Sequence, residues 1–350
     1  ISSGVVSERR ILLLQLRDVD GNTAWSECVA GEHPNYSPET IDTAWLAIEA
    51  WIAPRLLGNS IEHDRIYDLL EQDIRGHDMA KAGVEMGCWA LTAARQQVSL
   101  SKLLGGIRPQ VEVGISIGIQ DSADALVERA QRAHEQGYRK IKLKIMPGRD
   151  IAYVAAVRRT LPHAHLMADA NNAYHLEDAD HLAQLDAFDL MMIEQPLDHM
   201  DVVQHAALQR RLRTPICLDE SITSVLRARD MIELGSGRII NIKPGRVGGF
   251  TSSLRIHDLA QQHGVPVWCG GMLESGVGRA YNVALASLPN FSLPGDLSPS
   301  ARYWERDIVN PEWTMSDDGL VTVPREVVGI GVDVDLDRVD NLTVRKQVLS

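Results

Sequence analysis

From residue 111 onward the chain repeats one pattern: a short run of apolar residues, then a longer stretch with apolar positions at helical spacing. The runs fall at residues 111–119, 140–146, 165–169, 190–194, 215–219, 239–242 and 265–268. Such alternation predicts β/α units, and near-continuous apolar strands predict a parallel sheet covered on both faces. The first hundred residues read differently. A strand over 10–19, the turn signal Asp20-Gly21 and a strand over 25–29 predict a hairpin, while residues 40–57 and 77–94 carry the spacing of amphipathic helices. Gly105, Gly106 and Pro109 punctuate the change of regime.

The ends of the apolar runs carry a second regularity. Lys144, Asp169, Glu194 and Asp219 follow one another at intervals of 25 residues, Lys243 lies 24 further on, and Ser116 stands 28 before Lys144. One strand plus one helix per repeat puts these polar groups on the same rim. In a doubly wound sheet they would spread along a line, whereas in a (β/α)8 barrel they ring a single mouth. Gly270 to Met272 closes a seventh strand, and Asp296 closes a weak eighth 24 residues later. A leucine-rich solenoid shares the period but requires a consensus that these units lack. The predicted fold is therefore α/β: a (β/α)8-type, TIM-like barrel over 109–301, an α+β capping domain over 1–108, and a segment over 302–350 packing with the cap.

Composition removes several classes of alternative. The 350 residues are 45% hydrophobic and 23% charged, the values of a folded globular chain. A net charge of -12, from 35 basic and 47 acidic residues without a basic run, argues against nucleic acid or an anionic membrane as partner. No stretch reaches the ~18 uninterrupted apolar residues of a membrane helix, and residues 1–10 lack the apolar core of a secretory leader. Cys28, Cys88, Cys217 and Cys269 lie far apart in apolar surroundings, which reads as buried free thiols in a reducing cytoplasm.

Asp169, Glu194 and Asp219 at three neighbouring strand ends would direct three hard oxygen ligands at one point. With no His or Cys beside them, the set suits Mg2+, with Mn2+ as substitute, over Zn2+. Taken singly, each acid is as well explained by a helix N-terminus or by solvent. The shared register is what favours a metal. In Lys140-Ile-Lys-Leu-Lys-Ile the three lysines share one face. A solvated strand would turn that face to water, but the outside of a barrel is covered by helices and takes Ile141, Leu143 and Ile145. Lys140, Lys142 and Lys144 therefore point inward, where Lys142 is placed to lower the pKa of Lys144. Lys243 would face Lys144 across the mouth. An amine on each side of a carbon next to a carboxylate suits loss of a proton from one face and its return to the other, which is racemisation. With a β leaving group the same intermediate leads to elimination.

The wording around these residues is specific. On Lys142-Leu-Lys144, Asp169-Ala-Asn171, Ile193-Glu-Gln-Pro196, Leu218-Asp-Glu-Ser221 and Asn241-Ile-Lys-Pro-Gly-Arg-Val-Gly-Gly249 the chain resembles the enolase superfamily, in its muconate-lactonizing-enzyme-like subgroup, over nearly its whole length. His77-Asp-Met-Ala-Lys81, Trp268-Cys-Gly-Gly-Met-Leu-Glu-Ser275 and Asn290-Phe-Ser-Leu-Pro-Gly-Asp296 are similar to the N-succinylamino acid racemase and o-succinylbenzoate synthase group within it. That resemblance implies Mg2+ on Asp169, Glu194 and Asp219, Lys144 and Lys243 as the acid/base pair, and Lys142 beside the substrate carboxylate. Sites of that superfamily use a Lys or His base together with Mg2+. The resemblance also implies that Ser116, Gly271 and Met272 line the substrate pocket and that Asn171 and Glu220 orient ligands or substrate. Arg246, three residues past Lys243, is expected to depress that lysine's pKa.

The expected activity is racemisation of N-acylamino acids, N-succinyl derivatives first among them, with o-succinylbenzoate synthase activity in the same site. A dedicated synthase, a muconate-type cycloisomerase and a dipeptide epimerase are the enzymatic alternatives. The last normally holds the substrate amine with a paired acidic motif at strand eight, where this chain offers only Asp296. A metal-stabilised barrel that binds small acids without turnover is the non-enzymatic alternative, and two opposed buried amines argue against it. Family members are often dimers or octamers, so a homo-oligomer is expected, and a first strand with the beginning of a lid loop is expected upstream of Ile1.

Overall fold

A computed structural model describes residues 8–350. Residues 1–7 of the expected cap lie outside that range. The cap begins with the antiparallel hairpin β1 (Leu12–Arg17) and β2 (Thr23–Cys28), paired from Leu12↔Cys28 to Arg17↔Thr23. The hairpin lies on the helix Asp78–Arg95, where a Cβ on Gly87 would stand 2.7 Å from both Leu16 Cδ1 and Ser26 Oγ. Glycine there is the condition of close packing. The helix expected over 40–57 is interrupted: Ile41–Ala47 passes through a wide turn at Ile48–Ile52 before resuming as Ala53–Leu56. Pro54 has no N–H to donate, and the Ala53 N–H reaches back five residues to Ile48 O, the bond of a π-bulge.

The expected strand over 111–119 is split into β3 (Gln110–Glu112) and β4 (Gly114–Ile117). Six further strands follow: β5 (Lys140–Lys144), β6 (Leu166–Asp169), β7 (Ile193–Glu194), β8 (Ile216–Leu218), β9 (Ile239–Ile242) and β10 (Val267–Cys269). From β4 to β10 they form one parallel sheet in sequence order. An eighth segment closes it into a barrel. Phe291 bridges β10 at Val267, Gly295 bridges Val113, and Gly295 O accepts from Gly114 N at 2.6 Å. The predicted weak eighth strand is thus a pair of bridges rather than a ladder, as expected where Pro294 removes a donor.

The tail from 302 divides its packing. After β11 (Val309–Asn310), β12 (Leu320–Thr322) pairs antiparallel with β3, which is what cuts the expected first strand in two. β13 (Asp333–Val334) pairs with β11. The tail reaches the cap at two places: Gly329 N donates to Val98 O at 2.9 Å and Gly329 O accepts from Leu100 N at 2.7 Å, and further on the Arg345 guanidinium lies 4.0 Å from the Trp45 ring centre with Gln347 Nε2 donating to Glu49. Inside the barrel, Met167, Met192, Cys217, Ile239 and Trp268 form a separate apolar floor. The other faces of the same strands, with Ile141, Leu143 and Ile145, join the main core beneath the helices. All four cysteines are unpaired, and no helix of the described residues is long and apolar enough to cross a membrane.

Candidate active site

Alternation along β5 sets three lysines at increasing height above the apolar floor. Their side chains are 0%, 5% and 13% exposed at Lys140, Lys142 and Lys144. The neighbouring strand makes room for the lowest, since a Cβ on Gly114 would approach Lys140 Cε at 2.5 Å. Lys140 Nζ lies 3.4 Å above the Trp268 ring and 3.4 Å from Asp296 Oδ1. Burial depresses its pKa against the opposing pull of Asp296. Lys142 Nζ reaches Asp296 Oδ2 at 2.7 Å, Glu194 Oε2 at 3.2 Å and Asp169 Oδ2 at 3.4 Å. Burial again works against the charge, but these three acids raise Lys142 well above the ordinary lysine value.

Lys144 closes the second strand of the sheet and Lys243 follows the sixth. With eight stations around the ring, four steps separate them, which is a diameter. Lys144 Nζ donates to Asp169 Oδ2 at 2.6 Å and to Asn171 Oδ1. Lys243 Nζ donates to Asp219 Oδ2 at 2.8 Å and to the Tyr36 hydroxyl at 3.0 Å. Its stem passes over Gly270, where a Cβ would stand 2.6 Å from Lys243 Cε. Arg246 acts on Lys243 in the expected direction but is not the dominant neighbour. Burial and Arg246 do push Lys243 down, but the Asp219 carboxylate that both cations share lifts it above the usual lysine range.

Asp169, Glu194 and Asp219 occupy the arc between the two lysines and are all buried. Strand pairing places Asp169 opposite Glu194 and Glu194 opposite Cys217, two residues before Asp219. Burial and then the Asp169 charge push the Glu194 carboxyl up to about 8, with Asp219 adding to the effect. Three hard-oxygen donors on adjacent strands that destabilise one another's charge fit a divalent cation of the Mg2+ kind. Among the described residues no three His, Cys, Asp or Glu side chains already converge as a coordination shell. Lys142, Lys144, Lys243 and Arg246 hold the three carboxylates instead.

The remaining predicted residues surround this centre. Asn171, at φ +40, bridges Lys144 and Glu220 by donating from Nδ2 to Glu220 Oε1 at 3.0 Å. Burial and Asp219 raise Glu220 to about 7. Ser116 pairs in register with Lys142 and is half-buried, with its carbonyl 3.4 Å from Arg302 Nη2. Gly271 packs on the Asp296 carbonyl, and Met272 lies against the core of the cap. Two further residues complete the site. Tyr36, from the cap, donates to Asp219 Oδ1 at 3.2 Å while accepting from Lys243 and Arg246. Asn241 donates to Glu194 Oε1 at 2.7 Å from inside β9. The two-residue offset from Lys243, which puts Asn241 on the same strand face, was the available signal.

Models of two families match the chain: the N-terminal domain of mandelate racemase and muconate lactonizing enzyme over residues 1–105, and the enolase C-terminal-domain-like family over 125–339. The chain belongs to the enolase superfamily, and it is an enzyme of the mandelate racemase and muconate lactonizing branch. It is 50% identical over 342 residues to an o-succinylbenzoate synthase of Geobacillus kaustophilus, covering 98% of this chain and 91% of that one. It is 47% identical over 349 residues to an N-succinylamino acid racemase of Thermus thermophilus, covering 100% and 94%. A solved structure of a probable mandelate racemase from Alicyclobacillus acidocaldarius superposes with a TM-score of 0.93 at 41% identity, over 99% of this chain and 92% of that one.

Proposed function

We propose that this enzyme racemises N-acylamino acids, N-succinylamino acids in particular, by moving the α-proton between two lysines, and that it also dehydrates the cyclohexadiene precursor to o-succinylbenzoate. The observation that carries the reading is the diametric placement of Lys144 and Lys243 with three carboxylates on the arc between them. One amine meets each face of a flat intermediate, so a proton lost to Lys144 can be replaced from Lys243 and the reverse. For dehydration one lysine serves as base and then acid at the leaving group, while the other stays charged beside the developing anion.

Asp169, Glu194 and Asp219 are the residues that would hold Mg2+, or Mn2+ in its place, which would supply concentrated positive charge for the second negative charge that builds on the substrate carboxylate. Lys142, braced by Asp296, supports the same charge from the floor side. Asn171 orients Lys144. Ser116, Gly271 and Met272 line the pocket for the acyl group and side chain. Asp296 is engaged by Lys142 and Lys140, which leaves no spare charge at the eighth station for a substrate amine and argues against dipeptide epimerase activity.

Incubation of each enantiomer of N-succinylphenylalanine with enzyme and Mg2+ in D2O tests the reading by proton NMR. Exchange of the α-hydrogen from both enantiomers is the expected result. Fast dehydration of the cyclohexadiene substrate without any exchange would remove the racemase half, and inertness toward both substrates would remove the whole.

A further inference from the structure

The segment between β10 and the helix Gly276–Ala286 contains Gly271 and Met272, and it is held from the cap as well as from the barrel. Leu273 holds φ at +61, a left-handed conformation disfavoured for a branched side chain and kept only where the surroundings over-determine it. Within the segment Met272 N donates to Glu274 Oε1 at 2.7 Å, and the cap adds restraints at two further points. Arg9 Nη1 donates to Met272 O at 2.8 Å and to Leu273 O at 2.9 Å, while its Nη2 donates to Val29 O at 3.4 Å within the cap. Glu27, on β2, is buried and receives Ser275 Oγ at 2.6 Å, Ser275 N at 3.1 Å and Gly278 N at 3.1 Å. The approach of Glu27 requires the glycine, because a Cβ on Gly278 would lie 2.8 Å from Glu27 Oε2. The same glutamate thus occupies the N-terminus of the barrel helix, where a carboxylate is favoured by the free N–H groups and the helix dipole.

We infer that Arg9 and Glu27 are positioning residues: a two-point clamp by which the cap fixes the strained segment 271–275 and so sets the fit of the substrate's acyl and side-chain portion. Arg9 holds carbonyls in the middle of the segment and Glu27 holds donors at its end. The donors and acceptors are of opposite kind, so the segment cannot shift along its axis without breaking one set. Neither residue touches Lys144 or Lys243. Loosening the clamp therefore costs substrate fit before it costs proton transfer. This inference rests on the proposed placement of Gly271 and Met272 in the substrate pocket.

Hydrogen exchange read by mass spectrometry on Glu27→Gln and Arg9→Met, alongside exchange kinetics with N-succinylphenylalanine in the Mg2+-loaded enzyme, tests it. Amides of residues 273–278 should exchange about a hundredfold faster in Glu27→Gln while those of β1 and β2 stay as they are. KM should rise about tenfold in either variant, with kcat and the ratio of exchange rates for the two enantiomers within about twofold of the parent. Unchanged protection of 273–278 overturns the clamp, and this arm does not depend on which substrate the enzyme uses. Altered protection with KM unmoved overturns the link to substrate fit. Failure of the parent enzyme to exchange N-succinylphenylalanine would count against the proposed function and leave the amide measurement to decide the clamp. Gly278→Ala, which presses on Glu27 from the barrel side, should reproduce the loosening if Glu27→Gln proves too unstable to purify.

Discussion

At the barrel mouth Asp169, Glu194 and Asp219 are buried against the side chains of Lys142, Lys144, Lys243 and Arg246. At the seam between cap and barrel, Glu27 and Glu85 are buried as deeply but against backbone N–H groups. Glu85 accepts from Phe250 N at 2.7 Å, Thr251 N at 2.9 Å, Thr251 Oγ1 at 2.6 Å and Trp89 Nε1 at 2.8 Å. The two arrangements satisfy a buried carboxylate equally well in the static structure. They differ in what can be exchanged. A lysine ammonium sits on a four-carbon stem and can give its place to a metal or a substrate, whereas an amide at a helix start is fixed by the helix behind it. Buried acids paired with mobile cations mark chemistry here, and buried acids paired with backbone mark assembly.

The comparison breaks most severely if mouth substitutions leave turnover intact. Lys144→Ala and Lys243→Ala should each lower racemisation by roughly 10³-fold, within the range for removal of a general acid or base. The double variant should lose little more, because in the proposed mechanism each lysine acts in every catalytic cycle. Steady-state rates for both enantiomers check this. Chelation should abolish turnover and added Mg2+ restore it, with a rise in thermal midpoint that grows with metal concentration as expected for a ligand that binds only the native state. A midpoint indifferent to Mg2+ would mean that the three carboxylates keep their lysines and bind no metal.

At the seam the signature is inverted. Glu85→Ala would leave the Phe250 and Thr251 N–H groups and the Trp89 indole N–H without partners, at about 1–3 kcal/mol for each unsatisfied group. A loss on the order of 3–5 kcal/mol by denaturant titration is the expected total after partial relaxation. The proton-transfer rate of the folded fraction should change little. A large fall in kcat without loss of stability would place Glu85 with the mouth residues.

The mouth was more legible in the sequence than the seam, for a topological reason. Every β/α unit returns the chain to the same rim, so residues about 25 apart meet whatever the details of their helices. Lys144, Asp169, Glu194, Asp219 and Lys243 needed only that rule. Tyr36 and Glu27 reach the barrel by docking of a separate unit, and no local period records which cap residue will meet which loop. The cut between β3 and β4 was hidden likewise, because the partner of β3 lies some two hundred residues away in β12. Arg246 shows a different limit. Its proximity to Lys243 was readable, but the net direction turned on Asp219 accepting from both cations at once.

The smallest expected effect is the one that sharpens the comparison furthest, and it concerns pH. Burial raises Glu27 to about 7 from an ordinary value near 4.5, against the hydrogen bonds from Ser275 and Gly278, with Arg9 and Glu274 the charged neighbours that pull it down and up. Between those two values the native state holds a proton that the unfolded chain has released. The stability this group contributes is therefore fully present below about 4.5 and is lost as pH rises through 7. Glu27→Gln carries no charge at any pH and escapes the loss. The stability advantage of the parent over Glu27→Gln should accordingly shrink between pH 5 and pH 8, by on the order of 1–3 kcal/mol, in paired denaturant titrations. An advantage that instead grows with pH would mean that the helix N-terminus stabilises the carboxylate by more than burial opposes it. Glu27 would then act as a permanent anion, as Asp219 does beside Lys243 and Arg246, and seam and mouth would differ only in the mobility of their donors.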